Sequence, residues 1–381
     1  MSIRPMRASD HAGINRLHRD VWWPERSEAG WRWLGANPAG LDVDAPQGWV
    51  LENAGGEPAA FLGNFVQRFW RGDRLAYAAT GYSTIVPPAV QGASRALFRT
   101  LLRQDRMLAH YTFNANRRSA PLYRLFGLGR WPETTHGLKL SWIIDPLAVA
   151  QGRVLREVVR RAPNLIAYRT ERFMNARLWA DRPLILPPDI VRLSDLADGS
   201  PYAEFWRRLK AQGRWIADRS PEILRWRLSD PDRTLRPLFL AQMSSGRIIG
   251  SVLAQVSKGS SIEPAFLDIV DLVALDDTPQ AIPALTQVLI DNARALGVAK
   301  VRLQMVSPQM LERLGPLAGR ARHEGGWGHA HVRFSDPTLA EEWSPTPFDG
   351  DYGICLRPVP EVVSMRAREP RPGIAADKAQ A

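Results

Sequence analysis

The chain has a single cysteine, Cys355, among 381 residues. An internal disulfide is excluded, and so is a metal centre built from several thiolates, which fits a reducing compartment. No apolar run reaches the roughly 20 residues needed to cross a bilayer. The opening Met1-Ser2-Ile3-Arg4-Pro5-Met6 lacks the apolar centre of a signal peptide. Acidic residues are in deficit: 39 Asp and Glu against 50 Lys and Arg leave a net charge of +11. Such a chain attracts anions, whether nucleic acid, anionic lipid or phosphate esters. These absences predict a cytoplasmic protein that meets, at most, the inner face of the cytoplasmic membrane.

What is present is ordinary for a globular protein, with 45% hydrophobic and 23% charged residues. The length predicts two domains. The 30 Pro and 29 Gly are dispersed and punctuate turns. The 14 Trp are unusual and leave two readings open, a lipid interface or a core filler.

Two stretches share one plan. In the first, Ile3 to Met6 reads as a strand, with Ser9-Asp10 capping a helix that carries Ile14, Leu17, His18 and Val21 on one face. A second helix runs from Glu25 to Leu34, and Asn37 to Gly40 is a loop. Strands follow at Gly48 to Glu52, Ala59 to Phe69, Leu75 to Val86 and His110 to Asn114; Ser119 to Phe126 is a short helix, and Gly137 to Ile144 closes the sheet. The second stretch repeats this: a strand at Leu184 to Leu193, a helix capped at Ser194-Asp195, a hairpin of Leu235 to Gln242 with Arg247 to Val256, and a strand at Ala265 to Leu275. A helix from Pro279 to Leu296, a strand at Ala299 to Val306, a short helix at Met310 to Leu314 and a strand at Ala330 to Phe334 complete it. Boundaries fall at 1–144, a linker at 145–182, 183–358, and a polar, disordered tail at 359–381. The linker interleaves Arg153, Arg156, Arg160, Arg161, Arg169, Arg172 and Arg177 with apolar residues. That pattern suits an interfacial amphipathic helix or an inter-domain helix with a wet face.

The most telling segment is Tyr77 to Gly127. A strand runs into Val86-Pro87-Pro88-Ala89-Val90-Gln91-Gly92-Ala93-Ser94-Arg95, and a helix carrying Leu97, Phe98, Leu101 and Leu102 follows. Small residues at a helix N-terminus present open N–H groups to an anion. Further on come Asn116, Tyr123 and Gly127.

These motifs resemble the acyl-CoA site of the GNAT acyltransferase superfamily, with Gly92 and Ser94 matching the two small residues of its turn. The position three before the glycine holds Ala89, so Gln91 is the nearest match to the residue that opens that turn. The resemblance implies an α/β (α+β) fold of two tandem GNAT-like domains, each a mixed, mainly antiparallel sheet flanked by helices. The second copy is degenerate: Asp276-Asp277-Thr278-Pro279 carries no glycine and two acids that repel a diphosphate. Trp31-Arg32-Trp33 with Asn37-Pro38, Leu224-Arg225-Trp226-Arg227 with Pro231, and Trp343 with Asp349-Gly350-Asp351 resemble a bacterial subgroup tied to envelope lipids and polysaccharides.

The resemblance implies acyl-CoA as cosubstrate, no metal, and a primary amine as acceptor. Thr84, Ile85 and Val86 would face the thioester; Gln91, Gly92, Ala93, Ser94 and Arg95 would hold the diphosphate; Asn116 would anchor the pantetheine arm. Tyr123 would protonate the thiolate. No acid lies between Leu75 and Arg99, so His110 is the candidate base, with His136, Glu52, Tyr82 or water as alternatives. The leading acceptor is a long-chain, sphingoid-type amine at an anionic membrane, as in bacterial ceramide synthases. The alternatives are an amino sugar of a cell-surface polysaccharide, aminoacyl transfer to peptidoglycan, and a non-catalytic CoA-binding scaffold. No nucleic acid is expected, because the aromatics form no recognisable binding module.

Overall fold

Short strands and capped helices alternate from the N-terminus of the structure, a computed structural model that describes residues 2–21, 23–117, 119–161, 183–259, 263–325 and 328–356. β1 (Ile3–Pro5) pairs antiparallel with β2 (Gly48–Glu52), and α1 (His11–Asp20), α2 (Glu28–Gly35) and α3 (Pro38–Asp42) run between them. The Ser27 hydroxyl caps α2 by accepting from Gly30 N at 3.0 Å, one of the N–H groups a helix start leaves open. β3 (Pro58–Arg71) and β4 (Arg74–Ile85) form a long hairpin; α4 (Ala93–Leu101) crosses to β5 (Met107–Ala115), parallel to β4. Then come α5 (Ala120–Leu125), β6 (Gly129–Arg130), β7 (Lys139–Ile143) and α6 (Pro146–Arg161).

The second half contributes β8 (Ile190–Arg192), α7 (Pro201–Lys210), β9 (Ile216–Ala217), α8 (Pro221–Leu228), β10 (Leu238–Ser244), β11 (Arg247–Ser257) and β12 (Phe266–Ala274). α9 (Ala281–Asn292), β13 (Lys300–Leu303), α10 (Pro308–Leu314), α11 (Pro316–Arg320), β14 (Arg322–Glu324), β15 (His329–Phe334) and α12 (Pro337–Glu342) follow. Two mixed, mainly antiparallel sheets result. One has the order β1-β2-β3-β4-β5-β15-β6, with β9 on β3; the other is β14-β7-β13-β12-β11-β10-β8.

Those orders correct the sequence reading. The segment expected to close the first sheet is β7, and it pairs instead with β13 (Trp142 opposite Val301) and β14 in the second. β15 inserts beside β5 in the first sheet. Alternation marks 139–143 as a strand, but its partner is chosen by long-range burial. The Trp142 indole is 4% exposed and donates to Leu317 O at 3.0 Å, inside the second core. Smaller corrections follow the same logic. Asn37–Gly40 opens α3; Asp195 accepts from Ala197 N in a turn, while Ser200 caps α7; and Val21 lies beyond α1, exposed. α8 was not foreseen at all. Of the basic linker, Pro146–Arg161 is helical; Arg169, Arg172, Arg177 and the tail at 359–381 lie outside the described residues.

The tryptophan motifs join the halves. Trp33 and Trp226 stack at 4.7 Å, and each indole N–H donates to the other's backbone carbonyl, at 2.7 and 3.0 Å. Trp31, Trp33, Trp49, Trp142, Trp206, Trp215 and Trp343 are all buried. Core filling therefore accounts for most of the described tryptophans, and a lipid interface is not needed to explain them.

Candidate active site

β4 and β5 pair from Tyr77–Met107 to Thr80–Tyr111 and then part, while β4 continues to Ile85 and β5 to Ala115. At the parting, β4 bulges. Its pairing with β3 advances from Tyr82–Gly63 to Ile85–Phe61, three residues against two. Ser83 holds φ at 47°, a left-handed conformation that costs a non-glycine residue roughly 1–2 kcal/mol. The bulge turns backbone groups at 83–85 out of the ladder. Gly63 is required opposite it, because a Cβ there would run into the Tyr82 ring.

Beyond Ile85 a single 3-10 turn, Pro88–Val90, leads to Gly92 at the N-terminus of α4, where no side chain caps the helix. Gln91, Gly92 and Arg95 are exposed and Ala93 and Ser94 half-buried. A Cβ at Gly92 would meet nothing within 4 Å, so the chain is open on that side of the helix start. Leu97, Phe98 and Leu101 anchor the opposite face of the helix in the core.

Tyr123 is buried across Phe98 at 4.7 Å, beside the Thr112 side chain one residue past the last pairing of β5 with β4, and is not itself in the lining of the cavity described next. Burial pushes its pKa up, with nearby Asp351 adding to the shift, so the phenol keeps its proton. Asn116 caps the turn into α5: its Oδ1 accepts from Ser119 N at 3.0 Å. Asn114 is the asparagine that reaches the cavity described next.

A cavity of about 460 Å³ opens at the parted strands. Tyr82, Ser83 and Asn114 line it from the first sheet, His18, Trp23 and Arg26 from the α1–α2 region, Lys258 and Gln304 from the second half, and Asp351 and Tyr352 from the C-terminal segment. The 3-10 turn Asp351–Gly353 packs against both β4 and β5. The Tyr352 hydroxyl accepts from Lys139 Nζ at 3.0 Å and donates to Phe113 O at 3.3 Å. His18 donates through Nδ1 to Pro24 O at 3.0 Å, which leaves the lone pair on Nε2, and burial lowers its pKa. Sequence reading missed Asp351 as a site residue. The quoted Asp349-Gly350-Asp351 was its signal, but distance along the chain from Tyr123 hid the meeting.

His110 is placed elsewhere. It sits in the still-paired part of β5, opposite Ala79, 2% exposed and outside the cavity lining, with the Leu101 carbonyl and Arg333 as polar neighbours. Burial, helped by Arg333, lowers its pKa to about 4. Glu52 is bound to Arg4 and Ser2 at the far edge of the sheet, and His136 lies by Glu133 O and His329. Tyr82 does line the cavity, but burial raises its pKa and its hydroxyl donates to Gln47 O at 3.3 Å.

A stability prediction follows from His110. Unfolding restores the ordinary value near 6.5, so the unfolded chain binds a proton that the folded chain refuses. Stability is full above pH 6.5 and falls as pH drops toward 4, by about 3 kcal/mol for this residue. Denaturant melts from pH 7.5 to 4.5 should show that loss, and His110→Gln should flatten it. An unchanged slope in the variant would contradict the burial account.

The parallel parting in the second sheet is filled. β12 and β13 pair from Phe266–Lys300 to Ile269–Leu303. Beyond them, Trp215, Met310, Glu342 and Thr346 leave only about 50 Å³. Asp276, where a glycine turn would stand, bonds Arg214 and Arg313. The second copy is degenerate at this place.

No family model matches the sequence, and no curated protein does. Solved structures are similar in fold. A GCN5-related N-acetyltransferase from Anabaena variabilis has a TM-score of 0.51 at 15% identity, over 87% of this chain and 72% of that one. Saccharomyces cerevisiae N-myristoyltransferase with bound myristoyl-CoA has a TM-score of 0.50 at 8% identity, over 93% and 85%. The chain is thus similar in fold to a GCN5-related N-acetyltransferase and to N-myristoyltransferase, with two mixed sheets flanked by helices.

Proposed function

We propose that the protein is an acyl-CoA-dependent N-acyltransferase whose active centre lies where β4 and β5 part. The observation that carries this reading is the conjunction, at one parting, of a bulged β4, an uncapped small-residue helix start and a buried phenol that feels the Asp351 charge. The diphosphate of CoA sits on the N–H groups from Gln91 to Arg95, favoured by the helix dipole and by the Arg95 charge. Val86 flanks the pantetheine arm, and Asn114 takes the anchoring role that the resemblance implies for Asn116.

The amine nitrogen attacks the thioester carbonyl, and the oxyanion forms against a backbone N–H at Thr84 or Ile85. One such donor contributes about 3 kcal/mol. Asp351 takes the amine proton. The C–S bond breaks, Tyr123 gives its proton to the sulfur, and Asp351, close by, returns a proton to the phenol. His18 is a second proton acceptor in the cavity, but it packs against Trp31 and Phe61 on the α1 side, whereas the Asp351 charge acts on the Tyr123 phenol. We give His110 no catalytic part. The expected division at 1–144 and 183–358 is crossed by the fold, since β7 lies in the second sheet while β15 joins the first and Asp351 lines its cavity.

The cavity lining favours a polar acceptor. Arg26, Ser83, Asn114, Lys258, Gln304, Asp351 and Tyr352 suit a hydroxyl-bearing amine such as an amino sugar. A long-chain, sphingoid-type amine is the second reading, favoured by Leu147 and Val154, 70% and 62% exposed on α6 among its arginines, which suits a helix lying on an anionic membrane.

Two measurements test the proposal. Mass spectrometry of products from mixed acyl-CoAs and a panel of amino sugars, sphingoid bases and their phosphate esters should show N-acylation; no amide from any pair would refute it. Gly92→Glu places a carboxylate at the α4 start, which suits the helix dipole but repels a diphosphate. The expected result is an unchanged melting temperature with CoA affinity at least tenfold weaker; unchanged affinity would move the diphosphate elsewhere.

A further inference from the structure

A second cleft, of about 590 Å³, lies beside the acceptor cavity and is lined by Arg153 and Arg156 of α6, Lys300 and Arg302 of β13, Arg322 of β14, and Glu263 and Glu324. Its volume is that of a small-molecule site. Three of its cations are paired: Arg156 with Glu263 at 2.9 Å, Lys300 with Glu324 at 3.1 Å, and Arg302 with Asp268 at 2.6 Å. Arg153 and Arg322 have no carboxylate partner among the described residues, so the cleft keeps a surplus of two positive charges. Arg302 is 8% exposed and held by both oxygens of Asp268. Burial, with the Arg302 charge, holds the Lys300 pKa below that of an ordinary lysine. The field in the cleft is one that a bound anion would relieve.

The cleft and the cavity adjoin. Gly259 lines both, and Lys258, next to it, lines the cavity. Arg302 of β13 lines the cleft, and Gln304, just past the end of that strand, lines the cavity. Two residues of chain span at most about 7 Å. One ligand can therefore reach both.

We propose that this cleft binds a phosphate-class anion carried by the acceptor, so that the acceptor is bipartite: an amine at Asp351 and a phosphate or diphosphate among Arg153, Lys300, Arg302 and Arg322. The amine end rests on the acyl-transfer reading; the anion end stands on the cleft alone. Neither an unsubstituted amino sugar nor a plain sphingoid base would fill both places.

The test separates the two. With the CoA site presaturated by CoA, inorganic pyrophosphate is titrated into the full chain at low salt by calorimetry. One further binding event is expected, weakened at least tenfold in Arg153→Ala/Arg322→Ala, whose two exposed side chains leave the fold, melting temperature and CoA affinity unchanged. Absence of the second event, or equal affinity in the variant, overturns the cleft. Failure of CoA itself to bind overturns acyl transfer instead. Two arms then identify the source. Displacement of pyrophosphate by a nucleoside diphosphate indicates a soluble phosphate ester. Displacement by phosphatidylglycerol vesicles, lost in the variant, indicates a lipid headgroup.

Discussion

Asp351→Asn is expected to lower kcat by about 100- to 10,000-fold while CoA affinity stays within twofold. The substitution is isosteric, and the diphosphate turn at Gln91–Arg95 is a separate part of the site, so binding of the cosubstrate does not report on residue 351. The amide cannot take the amine proton, nor return one to the Tyr123 phenol. Steady-state rates with a saturating amine, alongside CoA titration by calorimetry, separate the two effects. A variant with an unimpaired kcat would pass the base role to His18, which lines the same cavity and whose Nε2 has no hydrogen-bond partner among the described residues.

Arg219→Met should destabilise the protein by about 3–5 kcal/mol. Arg219 is 1% exposed and is bound to Asp271 at 2.8 and 3.0 Å, Asp349 at 2.6 Å and Thr346 at 2.9 Å. Its removal leaves two buried carboxylates facing each other without a cation. The effect extends beyond stability, because Asp349 stands two residues before Asp351 and also accepts from the Trp343 indole at 2.8 Å. The Asp349 carbonyl receives the Tyr111 hydroxyl of β5 as well. This network clasps the C-terminal segment onto both sheets and so positions Asp351. Denaturant unfolding should show the loss, and Arg219→Met/Asp271→Leu should recover part of it; a loss under 1 kcal/mol would mean that the segment is held by packing alone.

Local physics made much of this legible from the sequence. The hairpins and the helix after Gly92 follow from alternation, turn residues and apolar spacing, which act over a few residues. Gly92, Ser94 and Tyr123 could be singled out because the chemistry the resemblance implies for them is tied to a strand–turn–helix context that lies within fifty residues. The exchange of β7 and β15 was not legible. A five-residue strand such as Lys139–Ile143 carries its pleat in its sequence but not the identity of its partner. The same holds for the base: His110 was chosen for its intrinsic pKa and its nearness in sequence, yet the fold buries it behind the paired strands. Asp351 arrives at the site from the far end of the chain, held by Arg219 and the Trp343 region. Asn114 and Asn116 differ by one strand alternation and one cap, and only the Ser119 contact tells which one is spent on the turn.

The most direct test is a crystal structure with coenzyme A bound. The account predicts diphosphate density against the backbone N–H groups of Gly92 to Arg95, and the thiol end between Ser83–Ile85 and the Tyr123 phenol, within reach of Asp351. Coenzyme A bound elsewhere, or a thiol end remote from both Tyr123 and Asp351, would contradict it.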